Sequence, residues 1–128
     1  MKKTVLVVDD DADVRRLYAI LLARRGYHVI ERDSAEDLVP LVVAAEPVAV
    51  LIDLMMPIID GLEAAALLRA DPRTRDVRIV MISASASFEA ARRASELNVE
   101  RYLVKPVPAA TVVAAIEGQT PVRRRLAS

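Results

Sequence analysis

Val48-Ala49-Val50-Leu51-Ile52-Asp53-Leu54-Met55-Met56-Pro57 decides how this chain folds. An apolar run of strand length, rich in β-branched residues, ends abruptly on one carboxylate. Such a run reads as a strand buried on both faces, the pattern of a parallel sheet. An unpaired buried carboxylate is costly, so the strand must emerge where Asp53 begins to be tolerated. Pro57 blocks continuation, and Asp60-Gly61 opens the next element. Asp53 is therefore expected at the carboxyl end of a central strand, the edge at which open α/β sheets hold their ligands.

The same pattern recurs on either side. Upstream, Thr4 to Val8 is a short β-branched run that stops at Asp9-Asp10-Asp11. Val14, Leu17, Tyr18, Leu21 and Leu22 then share one helical face. Asp11 or Asp13 can cap that helix, and Gly26 ends it. Tyr27 to Glu31 reads as a second strand. Ser34 and Asp37 resemble a helix start, but Pro40 interrupts the pattern. An interior proline loses a hydrogen bond and clashes with the preceding turn, which predicts a kink or a helix beginning later than Ser34. Downstream, Asp60-Gly61-Leu62-Glu63 is a capping-box start to a helix ending near Ala70. A polar loop, Asp71 to Asp76, leads into a fourth strand, Val77 to Ile82, ending at Ser83. The next helix spans about Ser87 to Leu97, with Phe88, Ala91, Ala94 and Leu97 as its apolar residues. Arg101 to Val104 is a fifth strand ending at Lys105-Pro106. Pro108 suits the first turn of a last helix carrying Val112, Val113 and Ile116 and terminated by Gly118.

Buried strands joined by helices require parallel pairing and right-handed crossovers. The expected fold is α/β: a flavodoxin-like, doubly wound, five-stranded parallel sheet of order 2-1-3-4-5 in one domain. That order makes Asp9 and Asp10 neighbours of Asp53, with Ser83 and Lys105 lining up beyond.

Composition narrows the function. A chain of 128 residues is one domain by length, and 54% hydrophobic content supplies a core. Basic and acidic residues balance at 18 each, so no overall field steers the chain to nucleic acid or an anionic membrane. With no cysteine, thiolate zinc sites and cysteine nucleophiles are excluded, and one histidine makes a His-based metal cluster or a Ser-His-Asp triad improbable. No apolar stretch approaches bilayer-spanning length, and no signal peptide is evident, so a cytoplasmic location is expected.

Three carboxylates converging in one crevice repel each other, and a hard divalent cation with oxygen ligands relieves that repulsion; magnesium suits the donor set. A cation, an ammonium and a hydroxyl around a carboxylate form a site for a phosphoryl group. The carboxylate itself can act as nucleophile and form an acyl phosphate.

At these residues the chain resembles a known family. Val7-Val8-Asp9-Asp10, Asp53-Leu54-Met55-Met56-Pro57, Asp60-Gly61, Ser83-Ala84 and Lys105-Pro106 look like the receiver domain of two-component response regulators. Each motif alone is weak; all of them in order, each at its strand end, are specific. The resemblance implies a receiver domain over residues 1–119 and a basic tail over 120–128. It implies that Asp53 accepts a phosphoryl group from a sensor histidine kinase or a histidine phosphotransfer protein. It further implies Mg2+ held by Asp10, Asp53 and the Met55 carbonyl, with Asp9 acting through water. Lys105 would pair with one phosphoryl oxygen, and the Ser83 hydroxyl and Ala84 N–H with the others. Ser83 and Tyr102 match the switch positions, and the fourth helix, fifth strand and fifth helix are the expected partner surface. Met55 and Ser85 match positions that tune hydrolysis, and neither orients an attacking water well, so a long-lived phosphoryl group is expected. Geometry and resemblance together predict a cis Lys105–Pro106 bond.

Expected partners are the phosphodonor, a downstream protein target or output domain, and a phosphorylation-dependent homodimer, without direct nucleic-acid or membrane binding. The chain is expected to be a phosphoacceptor that assists its own phosphorylation and dephosphorylation rather than an enzyme. Asn98 stands where the family often has glycine, and asparagine tolerates the left-handed conformation. Val107 replaces a frequent phenylalanine. Two other readings compete. One is a non-phosphorylated interaction module on the same fold, although such modules usually lack an acid or the lysine. The other is a haloacid-dehalogenase-like phosphatase, whose Asp-x-Asp-x-Thr motif on the first strand is not matched by Asp9-Asp10-Asp11-Ala12-Asp13.

Overall fold

The structure, a computed structural model, describes residues 2–118; the basic tail expected over 120–128 lies outside the described residues. Strands and helices alternate throughout: β1 (Thr4–Val8), α1 (Ala12–Arg24), β2 (His28–Arg32), α2 (Leu38–Ala45), β3 (Ala49–Asp53), α3 (Gly61–Ala70), β4 (Arg78–Ser83), α4 (Phe88–Glu96), β5 (Arg101–Val104) and α5 (Ala109–Ile116). All strand pairs are parallel, in the order β2-β1-β3-β4-β5. The flavodoxin-like topology is the one read from the chain.

Alternation along each strand sorts side chains into two cores. Leu6, Val8, Val50, Ile52, Ile79 and Met81 face α2, α3 and α4. Val5, Val7, Ala49, Leu51, Val80 and Ile82 face α1 and α5. Every residue of β3 is buried, so helices cover it on both faces. Each large aliphatic side chain so buried contributes roughly 1.5–3 kcal/mol, which is why these runs cannot slip in register without exposing their partners.

The helix ends follow their capping residues. Asp11 Oδ1 accepts from the N–H groups of Asp13 and Val14 at 3.0 and 3.2 Å, which settles the choice between Asp11 and Asp13 as the cap of α1. Gly26 follows that helix at φ +94°. Asp60 and Glu63 complete the capping box of α3. Asn98 takes φ +54°, the left-handed role anticipated for it.

One open expectation resolves, and two apolar positions differ from their expected burial. Helix α2 begins at Leu38, which puts Pro40 in its first turn, where the missing N–H leaves no helical bond unmade. Of the two outcomes foreseen at Pro40, the later start is the one realised. Helix α4 buries Ala90 and Ala94, whereas Phe88 is 85% exposed. As the first residue of the helix, Phe88 lies beyond the reach of the sheet. Leu17, placed on the apolar face of α1, is likewise 55% exposed, because that face is wider than the strip the sheet covers.

Arg69, on the last turn of α3, ties two loops together. Its guanidinium donates to the carbonyls of Arg75 and Val77 at 2.8 and 2.7 Å, and to those of Leu97 and Asn98 at 2.8 and 3.2 Å. Burial lowers its pKa, and Asp76 offsets part of that. The cation thus holds the carboxyl end of α4 against the end of α3.

Candidate functional site

Strand register builds the site. Val8 is paired with Ile52, so β1 and β3 end side by side and deliver Asp9, Asp10 and Asp53 to one crevice. Carboxylate oxygens of these three residues lie within 4.8 Å of one another. Asp53 is paired with Ile82 and Ser83 with Val104, which sets Ser83 and Lys105 on the far side. The backbone continues the ladder there: Leu54 N–H donates to Ile82 O and Lys105 N–H to Ser83 O, both at 2.8 Å. The Lys105–Pro106 bond is cis.

Asp9 and Asp53 are 3% and 6% exposed, whereas Asp10 is open to solvent. Lys105 Nζ lies 3.4 Å from Asp9 Oδ2 and 3.5 Å from Asp53 Oδ1. Only the first contact has hydrogen-bond geometry, and Asp53 Oδ1 is buried without a hydrogen-bond partner. Burial raises the pKa of Asp53 and the Asp9 charge raises it further, outweighing Lys105 and the Met55 N–H, which pull it down. Burial works against the Lys105 ammonium, but Asp9 and Asp53 more than compensate, so its pKa rises. The crevice carries an excess of negative charge, and one carboxylate oxygen in it has an ion-pair contact but no hydrogen bond.

The loop from β3 to α3 is closed by backbone contact. Gly61 N–H donates to Leu54 O at 2.9 Å. A Cβ on Gly61 would lie 2.7 Å from Asp53 O and 2.8 Å from Leu54 Cα, so only glycine allows α3 to start there. Met55 and Ile58 project outward from that loop, 63% and 80% exposed. Ile58 sits at φ +70°, a conformation that β-branched residues strongly disfavour.

On the other side, Ser83 is fully buried and its Oγ accepts from Ser85 N–H at 3.0 Å. Ala84 is exposed beside it. The Tyr102 hydroxyl donates to Ser85 O at 3.0 Å, so Tyr102 and Ser83 grip the same residue of the β4–α4 loop. All the residues singled out from the sequence therefore converge on one edge of the sheet, with Tyr102 one residue further out through Ser85.

Two neighbours were not foreseen. Arg15 Nη1 donates to Asp9 O at 2.8 Å. A signal for it existed: helical side chains lean toward the amino terminus, so a residue in the first turn of α1 reaches back over the end of β1. Tyr18 was read only as an apolar position, but it is buried where Lys105, Asp9 and Asp53 all act on its hydroxyl; burial is the main reason its pKa is raised.

The family model described as response regulator receiver domain matches residues 5–117. The chain belongs to this family. As a receiver domain it is a signalling domain of two-component systems, and it has well-matched relatives. A phosphate regulon transcriptional regulatory protein, PhoB, of Pseudomonas aeruginosa is 30% identical over 90% of this chain and 50% of its own length. The receiver domain thus spans about half the length of the curated relatives it matches. A Burkholderia pseudomallei response regulator, solved with a phosphorylated aspartic acid, a calcium ion and citrate, aligns at TM-score 0.83 and 28% identity. That alignment covers 98% of this chain and 72% of the other. A Pseudomonas putida response regulator receiver protein aligns at TM-score 0.84 and 27% identity over 93% and 98% of the two chains. No helix among the described residues of this receiver domain is long and apolar enough to cross a membrane.

Proposed function

We propose that this receiver domain accepts a phosphoryl group on Asp53 from a phosphohistidine of a sensor histidine kinase or histidine phosphotransfer protein. The observation that carries this reading is the Asp53 Oδ1 atom, buried without a hydrogen-bond partner between Asp9 and Lys105. In the transfer, that oxygen forms a bond to phosphorus while the phosphorus–nitrogen bond breaks, and the donor imidazole leaves with its electron pair. Lys105 meets one phosphoryl oxygen, and the Ser83 hydroxyl and Ala84 N–H meet the others.

The acidic cluster fits a hard divalent cation. Asp9, Asp10 and Asp53, with the Met55 carbonyl, would hold Mg2+, which supplies positive charge against the carboxylates and the incoming phosphoryl oxygens. The relative solved with a phosphorylated aspartic acid and a calcium ion supports this reading. Assistance to its own phosphorylation and dephosphorylation belongs to the same set of residues.

Output follows from the β4–α4 loop. A dianion on Asp53 attracts the Ser83 hydroxyl, which is tied through Ser85 to Tyr102. The surface of α4, β5 and α5 then shifts between states already populated. Exposed Phe88 and Val104 on that surface fit a downstream protein target, an output domain or a second copy of the chain. The names of the curated relatives, which are transcriptional regulators, support an output domain in a longer protein.

Incubation with acetyl phosphate, and separately with a panel of phosphorylated histidine kinases, tests the reading. Asp53 should gain an acid-stable, base-labile phosphoryl group only with Mg2+ present, and Asp53→Asn should gain none. Chemical shifts should move at Ser83, Tyr102 and α4 as well as around Asp53. A chain left unmodified by every donor favours the interaction-module reading; turnover of a small phosphate ester favours the phosphatase.

A further inference from the structure

Asp10 is the exposed member of the acidic cluster, and its carboxylate is held by no hydrogen bond among the described residues. Its place in the crevice therefore depends on the backbone that carries it. Asp9, just before it, has every polar group engaged. Its N–H donates to Arg32 O at 3.1 Å. Its Oδ1 accepts from Asp11 N–H at 2.9 Å, and its Oδ2 faces Lys105. Its carbonyl accepts from Arg15 Nη1 at 2.8 Å.

That last bond fixes the peptide plane between Asp9 and Asp10. The Asp10 Cα lies in this plane, so holding the plane helps set the direction from which the Asp10 side chain leaves the backbone. Resting on the phosphoacceptor reading above, we propose that Arg15 is a positioning residue for the cation site, locking the Asp9–Asp10 peptide so that Asp10 faces Asp53.

The rest of its surroundings suit that task. Arg15 Nε lies 3.3 Å from Glu31 Oε1, and Arg16 Nη1 lies 2.9 Å from Glu31 Oε2. The Arg15 and Glu31 side chains are 19% and 24% exposed, so this pair is shielded from solvent. Glu31 serves two ends. It orients the guanidinium so that Nη1 reaches the carbonyl. It also occupies the cation, which otherwise would turn to the Asp10 carboxylate and compete with a metal ion. A guanidinium can do both at once because its donors form a rigid planar fork; a lysine has one charged nitrogen and must choose. The helix contributes too, since Arg15 N–H donates to Asp11 O at 2.9 Å and seats the first turn of α1 on the same loop.

The test is a Mg2+ titration of the full chain followed by amide NMR, on the wild type, Arg15→Met, Arg15→Lys and Glu31→Gln, with Asp10→Asn as the ligand-loss control. Arg15→Met should raise the Mg2+ concentration for half-saturation by about tenfold. Its rate of phosphorylation by acetyl phosphate at saturating Mg2+ should fall far less than the affinity does. Arg15→Lys should recover part of the affinity, and Glu31→Gln should weaken binding although the arginine remains. In the metal-free protein the Asp11 amide, which donates to Asp9 Oδ1, should lose hydrogen-exchange protection in Arg15→Met. A merely structural role lowers the unfolding midpoint without changing Mg2+ affinity, and that result in folded Arg15→Met overturns the assignment alone. A wild type that ignores Mg2+ overturns the phosphoacceptor reading and this assignment with it. If Arg15→Met does not fold, Glu31→Gln decides: unchanged Mg2+ affinity there overturns the assignment.

Discussion

Asp53→Asn should stabilise the metal-free protein. Asparagine keeps the shape of the side chain and removes a charge that is 6% exposed, close to Asp9, and without a hydrogen bond on Oδ1. Leaving a buried group incompletely paired costs about 1–3 kcal/mol, more when it is charged, and the neutral amide removes the charged part of that cost. Lys105 at 3.5 Å returns part of that, and it keeps Asp9 as a partner in the variant. The net gain is therefore about 1–2 kcal/mol, which is about 3–6 °C in Tm for a domain of this size. It also corresponds to roughly 1 M in urea midpoint. The pH dependence has a definite sign. Burial and Asp9 raise the folded-state pKa of Asp53 above its ordinary value of 3.8, so the folded state binds more protons than the unfolded state in that window. Wild-type stability falls as pH rises through the window, and the variant escapes that loss. The advantage of Asp53→Asn is thus full above the raised pKa and shrinks as pH falls toward 4. Saturating Mg2+ should reverse the order, since binding at a hundred times Kd stabilises the wild type by about 2.7 kcal/mol. Urea unfolding in chelator and in Mg2+, at pH 7 and at pH 4.5, measures all of this. A variant less stable than wild type in chelator at pH 7 refutes the account of the crevice as a charge-strained site.

Met55→Asn should release the phosphoryl group from Asp53 roughly tenfold faster, a barrier change of about 1.4 kcal/mol, because an amide orients an attacking water and a thioether does not; equal rates of label loss in Mg2+ buffer would show that Met55 is not the brake. Ile58→Gly should raise stability by about 0.5–1 kcal/mol: it relieves roughly 1–2 kcal/mol of left-handed strain at φ +70° and loses part of that to chain entropy. Chemical denaturation checks it, and a destabilised variant contradicts the strain. Arg69→Met should cost about 2–3 kcal/mol, since it leaves carbonyls of two loops without their charged donor. Hydrogen exchange at the α4–β5 turn should rise with it, and an unchanged exchange profile would be evidence that other contacts hold that turn.

Fold and acidic cluster were legible because both rest on strand periodicity. A β-branched run that ends on a carboxylate specifies a buried strand and its exit in one stroke, as at Asp9 and Asp53. Where burial depends on how far a helix is covered, the pattern misled. Leu17 and Phe88 are apolar and helical, yet they lie outside the contact strip, and nothing local distinguishes them from Tyr18 or Ala94. Arg15 was missed for a different reason. Its partner at the site is a backbone carbonyl, which every residue possesses, so its role leaves no signature in composition or charge pairing. The Pro40 ambiguity was real, because one proline reads equally as a kink inside a helix or as part of its first turn, and only tertiary packing chooses.

The closure of the β3–α3 loop separates what can vary from what cannot. Gly61 sets the spacing between the end of β3 and the start of α3 by direct backbone contact, as a gauge block sets a gap. Side chains at the loop's outer positions, Met55 and Ile58, take no part in that spacing. Evolution or an engineer can therefore exchange them while Asp53 stays where it is. The same freedom does not extend to position 61, where even a methyl group would press on the backbone of Asp53 and Leu54. The residue least able to change in this crevice is thus one that carries no chemistry at all.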